Sequence, residues 1–542
     1  MIEIIPKLKR IVPKSGSFDL NTIKHIWVDE RFQGVLPVVR ETLIYKLGIK
    51  AESVAGLAGD KTPILKLSYK KGIKPEGYEL TVTEDGAYIA ASDASGILYA
   101  VQTLRIASKA DTKKPVSVVE CAEISDYPDN VWRGLLLDTA RHFWSVKDVK
   151  KIIDLLLLHK MNVLHIHLTD DQGWRLEIKK YPNLTKIGSK REKTHIHGWK
   201  KYDDDGTPHS GFYTHSDIRE LVAYAGARGI SIVPEIDMPA HFAAAFASYG
   251  HLACRDKKVE VPWYFGGRYP LSQGIKDWNR SACVGKKTTF DFIYAVIDEA
   301  CELFPSPYFH IGGDEAPKAE WETCPDCQTL MKEEGLANTK ELQGYFTNKI
   351  NEHLRKKGKT VIAWNEVLSG HNVNTDVLVQ YWTPQKDANV LEYLKKGGKV
   401  LMSKHHSFYF DMSYSQYPLK NTYNFTPFIE GITAEYADQI VGIEGAAWTE
   451  WIPSVKKLEF QIFPRLTAAA ETGWVNDGRV YKEFKTRLAG FEEILDSLHV
   501  NYAEPKIAEP LNPVAKLYNV MTWYAKDQDR EFLKNDDLKG KK

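Results

Sequence analysis

The segment Tyr308-Phe-His-Ile-Gly-Gly-Asp-Glu-Ala-Pro317 is a short apolar run that breaks at two glycines and then delivers adjacent carboxylates, Asp314 and Glu315. Successive side chains of a strand point to opposite faces, so two neighbouring acids share one cleft only if the backbone bends. Gly312 and Gly313 permit that bend without a Cβ clash. Carboxyls held side by side disfavour each other's ionisation, and one can then keep its proton and serve as a general acid while the other stays charged. A lone Asp-Glu pair is more often a solvated turn, so the reading depends on what else converges there.

Such a pair needs a frame. After Asp126-Tyr-Pro-Asp-Asn130 the chain repeats an apolar run followed by a longer stretch of helical periodicity. Eight such runs occupy residues 134–138, 163–168, 230–235, 308–311, 360–364, 377–381, 399–403 and 441–445. Between them, residues 149–159 place Ile152, Ile153, Leu156 and Leu157 on one helical face, and residues 290–303 do the same with Phe292, Val296 and Ala300. Eight strand-helix units predict a (β/α)8 TIM barrel, with its site at the carboxyl ends of the strands. Residues 1–125 differ: β-like runs at 64–69, 78–83 and 87–91 and an Ala/Leu-rich helix at 94–107 read as a small α+β domain. The expected division is 1–125 for that domain, 126–500 for the barrel and 501–542 for a helical extension with a charged tail.

The residues just past each run are Arg141; Asp170 and Asp171; Asp237 and His241; Asp314 and Glu315; Trp364 and Glu366; Trp382; Tyr409 and Asp411; Trp448 and Glu450. Acids bind hydroxyls and flat rings pack on the C–H faces of a pyranose, so this mixture at the mouth of a barrel points to a glycosidase. Taken singly, a Trp is often core and an Asp often a helix cap; recurrence at seven strand ends is harder to explain that way. His165 and His167 suggest a second barrel chemistry, that of metal-dependent amidohydrolases. Such a site needs further histidines or a lysine at later strand ends, where Trp, Tyr, Asp and Glu stand instead. The pair is therefore read as hydrogen-bonded barrel interior, with no metal and no cofactor expected.

Lys and Arg total 72 against 71 Asp and Glu, which leaves no basic surplus for phosphate and argues against a nucleic-acid partner. No run approaches the ~18 apolar residues of a membrane span, and the first residues lack the pattern of a signal peptide. The six cysteines are sparse for a disulfide framework. Only Cys324-Pro-Asp-Cys327 has suggestive spacing; no second ligand pair accompanies it, so a local disulfide or two free thiols is expected over a metal.

Five segments together resemble the β-N-acetylhexosaminidases of glycoside hydrolase family 20: Arg133-Gly-Leu-Leu-Leu-Asp-Thr-Ala-Arg-His-Phe143, His159 to Arg175 with its Leu-Thr-Asp-Asp-Gln-Gly-Trp, Val233-Pro-Glu-Ile-Asp-Met-Pro-Ala-His241, His310-Ile-Gly-Gly-Asp-Glu315 and Ala447-Trp-Thr-Glu450. The resemblance reaches to about residue 500 and includes the amino-terminal module. It implies exo-cleavage of terminal β-linked GlcNAc or GalNAc with retention, the substrate's own 2-acetamido oxygen being the nucleophile. It also implies roles. Glu315 is the protonated general acid, charged Asp314 orients the acetamido N–H, and Tyr409 donates to the acetamido oxygen. Trp364, Trp382 and Trp448 wall the acetamido pocket, Arg141, Asp411 and Glu450 bind hydroxyls, and His241 with Asp170 tunes the acid. The partner implied is a glycan or glycoconjugate, and the place of action secreted, periplasmic or cell-surface; the oligomeric state stays open, a homodimer included. Ala240 and Asn365 depart from the family's usual Gly and Asp. A lacto-N-biosidase that releases disaccharides and an inactive sugar-binding barrel are the competing readings.

Overall fold

The computed structural model describes residues 4–45, 52–54, 64–108, 117–198, 203–256, 259–265, 281–384, 387–427, 432–525 and 528–540. The amino-terminal part is one mixed sheet of β1 (Arg10–Asp19), β2 (His25–Val28), β3 (Glu52–Val54), β4 (Ile64–Tyr69), β5 (Tyr78–Thr83), β6 (Gly86–Ala91) and β7 (Val118–Asp126), in the order β1-β7-β5-β6-β4-β2-β3. Helix α1 (Ala94–Ala107) starts where the Asp93 carboxylate accepts from the Gly96 amide. It is buried along almost its whole length because it lies between this sheet and the helices of the next unit.

All eight apolar runs form strands. They are β8 (Trp132–Asp138), β9 (Val163–His167), β10 (Ser231–Glu235), β11 (Tyr308–His310), β12 (Thr360–Trp364), β13 (Leu378–Tyr381), β14 (Lys399–Met402) and β15 (Ile440–Ala447). They pair in parallel in chain order and close as a barrel where β15 meets β8. The surrounding helices begin on recognisable caps. Ser145 and Asp148 form a capping box for α2 (Val146–Leu158), and Thr214 and Asp217 one for α3 (His215–Gly226). Further round lie α4 (Lys287–Leu303), α5 (Pro325–Glu333), α6 (Thr339–Lys356), α7 (Asp387–Lys395), α8 (Val455–Ile462), α9 (Arg465–Trp474) and α10 (Tyr481–Ser497). Helices α11 (Pro513–Ala525) and α12 (Arg530–Lys539) come last. Among the described residues no helix is long and apolar enough to cross a membrane.

The barrel interior is layered. Its floor is apolar: Trp132, Val163, Val233, Ile362, Leu378 and Leu401 pack together. Above them His165, Glu235, His310, Gln380 and Glu444 make a buried polar belt, and above that Leu136, Trp364, Tyr409, Ala446 and Trp448 form a second apolar group at the carboxyl ends of the strands. At the thiols Cys324 and Cys327 are free, one of the two expected states, but they do not stand alone: the fold brings Cys254 and Cys283 to them, and none of the four is in a disulfide. Those partners lie far off in sequence, and only the folded βα loops bring them together.

Sheet and barrel are joined by buried charge. Lys160 Nζ lies 3.0 Å from Asp126 Oδ2, with both side chains fully buried. Tyr78 donates to the same oxygen at 2.8 Å and the Trp474 indole to the other at 2.9 Å. Arg133, at the start of β8, grips Glu76 with two 3.0 Å bonds. A buried pair adds little over a well-packed apolar substitute, but losing one partner strands a charge at a cost of roughly 3–5 kcal/mol. Asp126→Ala is therefore expected to lower the unfolding free energy by about that amount. Lys70→Ala, which breaks the half-exposed pair with Glu79 on the sheet surface, should cost no more than ~0.5 kcal/mol. Denaturant titration of the two variants tests the contrast.

Candidate active site

Strand β11 is three residues long, and the turn after it is shaped by steric need. Gly312 has φ +65° and Gly313 φ +99°; a Cβ on Gly312 would stand 1.7 Å from Asp237 Oδ1. Asp237 Oδ1 instead accepts the Gly313 amide at 3.1 Å, and the Gly313 carbonyl accepts from Gln343 Nε2 at 2.6 Å. This turn brings Asp314 into the pocket and leaves the Glu315 side chain 62% exposed at its rim. Glu315 and His241 both have positive φ, 47° and 50°. Such backbone in non-glycine residues is held only by surrounding structure and gathers at functional sites.

His241 sits between two acidic groups. Its Nδ1 lies 3.3 Å from Asp170 Oδ1, and its Nε2 lies 3.6 Å from Asp314 Oδ2 and 3.7 Å from Glu315 Oε2, close enough for charge attraction but long for hydrogen bonds. Burial alone would lower its pKa, yet Asp170 and Asp314 hold it well above its ordinary value, so it is an imidazolium at neutral pH. Asp170 also takes a 2.7 Å ion pair from Arg141 Nη2 and a 2.9 Å bond with His167 Nε2. Burial opposes its ionisation, but Arg141 and His241 hold it well below the carboxylate range. Burial pushes Asp314 up to about 6, the Glu315 charge adding to the effect, and burial likewise lifts Asp171 and Glu366 to about 7.

The aromatic residues converge on the same pocket. Trp364 and Trp448 have ring centroids 5.9 Å apart, Tyr409 lies flat against Trp382 at 5.7 Å, and Tyr409 is 6.2 Å from Trp448. Two of the indoles are aimed by a bond from behind: Trp364 donates to Glu235 at 3.0 Å and Trp382 to Glu366 at 2.9 Å. Arg141 stacks over Trp448 at 5.2 Å and stands 3.9 Å from Glu450. Three buried polar atoms here have no hydrogen-bond partner: Asp314 Oδ1, Asp411 Oδ1 and His241 Nε2. Unsatisfied polar atoms are costly in a core and common in a pocket built for a polar ligand.

All eleven side chains given catalytic or sugar-binding roles by the resemblance thus lie at the carboxyl end of the barrel. His165 and His167 are interior: His165 Nδ1 bonds Glu444 at 2.8 Å and His167 Nδ1 bonds Glu235 at 2.6 Å. Asn365, at a position that departs from the family pattern, is buried and accepts the Trp382 amide at 3.1 Å, so it supports the Trp382 wall rather than Trp364. Burial raises Asp314, so the charge that the resemblance gives it is lost on acidification. Glu235, Asp138, Asp237, Glu366 and Glu444 carry no individual role in the sequence reading: Glu235 braces Trp364, Asp138 braces Arg141 and Glu366 braces Trp382, while Asp237 holds the Gly313 amide and Glu444 bonds His165 in the interior. A glutamate ending an apolar strand, as Glu235 does, is the available signal, since buried carboxylates persist only when paired.

Residues 130–477 match the family profile "Glycosyl hydrolase family 20, catalytic domain", and residues 1–127 match "Glycosyl hydrolase family 20, domain 2". A beta-hexosaminidase of Porphyromonas gingivalis is 35% identical over 531 residues, which cover 94% of this chain and 65% of that protein. A beta-N-acetylhexosaminidase of Cellulomonas fimi is 32% identical, covering 82% of this chain and 84% of its own length. Among solved structures, an exo beta-N-acetylglucosaminidase of Vibrio harveyi in complex with N-acetylglucosamine superposes with a TM-score of 0.79 at 32% identity, over 93% of this chain and 78% of that one. A mutant Streptomyces plicatus beta-hexosaminidase in complex with product GlcNAc gives 0.78 at 30% identity, over 93% and 97%.

The space around Gly312 separates two kinds of glycine. Gly312→Ala must displace Asp237 as well as hold φ +65°, and should cost about 1–3 kcal/mol of stability. Gly358→Ala, with φ +72° but nothing within 4 Å, should cost only the ~1 kcal/mol of left-handed backbone. Differential scanning calorimetry of the pair measures both.

Proposed function

The chain belongs to glycosyl hydrolase family 20, and from that membership and the pocket's geometry we propose that it is an exo-acting β-N-acetylhexosaminidase. Its substrate would be a terminal, non-reducing β-linked GlcNAc or GalNAc, and its route retaining and substrate-assisted. The observation that carries this reading is the buried, unpartnered Asp314 Oδ1 beside Tyr409 and the Trp364–Trp382–Trp448 wall. That is the environment an acetamido group needs: an acceptor for its N–H, a hydroxyl for its carbonyl and apolar faces for its methyl.

In the proposed first step the acetamido oxygen attacks the anomeric carbon as the glycosidic C–O bond breaks, and Glu315 gives its proton to the departing oxygen. The sugar becomes an oxazolinium cation. Water then adds to the anomeric carbon, losing a proton to Glu315, and the ring reopens to the acetamide. Asp314 faces the positive charge that develops, with its N–H partner held at the near-attack geometry. Past β14 stand Lys404, His405 and His406, not a carboxylate, so no enzyme nucleophile is offered there. Arg141, Asp411 and Glu450 close the pocket around one terminal sugar, which supports exo cleavage.

The test compares aryl β-glycosides with and without the acetamido group. The N-acetylglucosaminide should turn over at least ~10³-fold faster than the glucoside, and a thiazoline mimic of the cyclic intermediate should inhibit competitively. A covalent adduct on any Asp or Glu, trapped with a fluorosugar and found by mass spectrometry, would sink substrate assistance. Glu315→Gln should lose most on substrates with poor leaving groups and less on activated aryl ones.

The raised Asp314 sets a sign for the pH dependence. Asp314 must be ionised to accept the N–H, and burial lifts its pKa to about 6. The anion is therefore lost as pH falls through that value, so kcat/KM should fall about tenfold per unit below it. Asp314→Asn should lower the rate by ~10²–10³-fold, the scale of one transition-state contact, and remove that acid limb. A pH profile that keeps the limb in the variant would assign it to another group.

A further inference from the structure

Four of the six cysteines meet at one point outside the pocket. Cys254 comes after the turn Gly250–Leu252, Cys283 precedes α4, and Cys324 and Cys327 bracket the first turn of α5. Each offers one Sγ, and the four sulfurs all lie within 4.8 Å of one another. The individual separations are 3.8 Å for Cys254–Cys327, 3.6 Å for Cys283–Cys324 and 3.7 Å for Cys283–Cys327. Zinc–thiolate bonds of about 2.3 Å in a tetrahedron give sulfur–sulfur edges of about 3.8 Å. A disulfide requires about 2.05 Å. We propose that Cys254, Cys283, Cys324 and Cys327 bind one zinc ion as a closed, structural tetrathiolate site.

The surroundings are built to the same end. Gly285, two residues after Cys283, packs against the backbone of Asp326 and Cys327 in the first turn of α5. Only glycine fits there, since a Cβ would stand 2.2 Å from the Asp326 carbonyl carbon and 2.3 Å from the Cys327 nitrogen. Ala253 and Ala282 pair as a β-bridge that sets their cysteine neighbours side by side. Four thiols binding Zn²⁺ release four protons and leave a complex of charge −2. Lys286 is placed to offset it, its Nζ 2.8 Å from the Ala253 carbonyl next to Cys254, and the amino terminus of α5 points the same way. Soft sulfur ligands in tetrahedral array select zinc, and four protein ligands leave no open position for chemistry.

The site's work is mechanical. Cys254 and Cys283 belong to the segment after β10 that also carries His241, whereas Cys324 and Cys327 belong to the segment after β11 that carries Asp314 and Glu315. Two weaker ties run alongside, Ser281 Oγ to the Pro317 carbonyl at 2.9 Å and the Trp321 indole to the Ala282 carbonyl at 3.0 Å. Zinc would staple together the two loops that set the His241–acid spacing.

Elemental analysis and native mass spectrometry of the whole chain, purified with a thiol reductant and no chelator, test this directly. About one zinc per chain is expected, released in step with mercurial titration of four thiols. Cys283→Ser and Cys327→Ser should each lose the metal and melt at lower temperature, while Cys121→Ser and Cys301→Ser, outside the cluster, should keep both. The wild-type measurement stands even if a variant fails to fold. Protein without zinc whose four thiols react freely, protein holding iron instead, or a mass about 4 Da low from two disulfides would each overturn the proposal.

Discussion

Glu235 is the group on which the site rests. Its two oxygens take bonds from His167 at 2.6 Å and the Trp364 indole at 3.0 Å, with the His165 ring 3.2 Å and the His310 ring 2.9 Å away beside them, all inside the barrel and away from water. Burial would raise such a carboxyl, but His310, His167 and His165 hold it well below its ordinary value, so it is an anion. An unpaired charge at that depth would cost several kcal/mol, and the histidines of the belt prevent it. From this anion two chains of contact lead upward. One aims Trp364 and so shapes the aromatic wall. The other runs through His167 to Asp170, and from there to Arg141 and His241.

Steric constraint does for the acid pair what the belt does for the rings. Strand β11 ends after three residues because the glycines beyond it turn in a region closed to side chains, and Asp237 fills the space a Cβ would need. With Glu315 and His241 both at positive φ, the site stores backbone strain on two loops at once. Strain of that kind persists only where the neighbouring structure resists relaxation. The bond from Gln343 to Gly313, the apolar packing of Trp321 and the cysteine cluster all brace these loops from outside the pocket.

Local interactions are legible in the chain, and distant ones are not. The eight strands are contiguous apolar runs, and the site side chains come a few residues after them, so period and position suffice to place both. Glu235 gives little sign of its importance because its meaning lies in His165, His167, His310 and Trp364, which come from three other strands. Cys254 and Cys283 are silent for the same reason: they stand 73 and 41 residues from the partners they touch, Cys327 and Cys324. Protonation is the least legible property. The raised Asp314 depends on burial, and sequence alone does not say that this side chain is enclosed while Glu315 faces solvent.

The pocket's charge balance links these features to the proposed chemistry. Asp138, Asp170, Asp171, Asp237, Asp314, Glu366, Asp411 and Glu450 surround it, against Arg141 and His241 as the cations. Such an excess of acid cannot ionise completely, and Asp171, Asp237, Asp411 and Glu366 are accordingly pushed up, burial being the main cause. The same field favours any group that becomes positive inside it, as the oxazolinium ring of the proposed route does. A more acidic pocket would stabilise that cation further, but would also lift Asp314 and shrink the fraction that can accept the acetamido N–H. His241 eases the conflict: its ring, 3.6 Å from Asp314 and raised well above its ordinary value by Asp170, offsets part of the repulsion without occupying the sugar's place. Asp170, itself held ionised by Arg141, is what keeps that imidazolium charged.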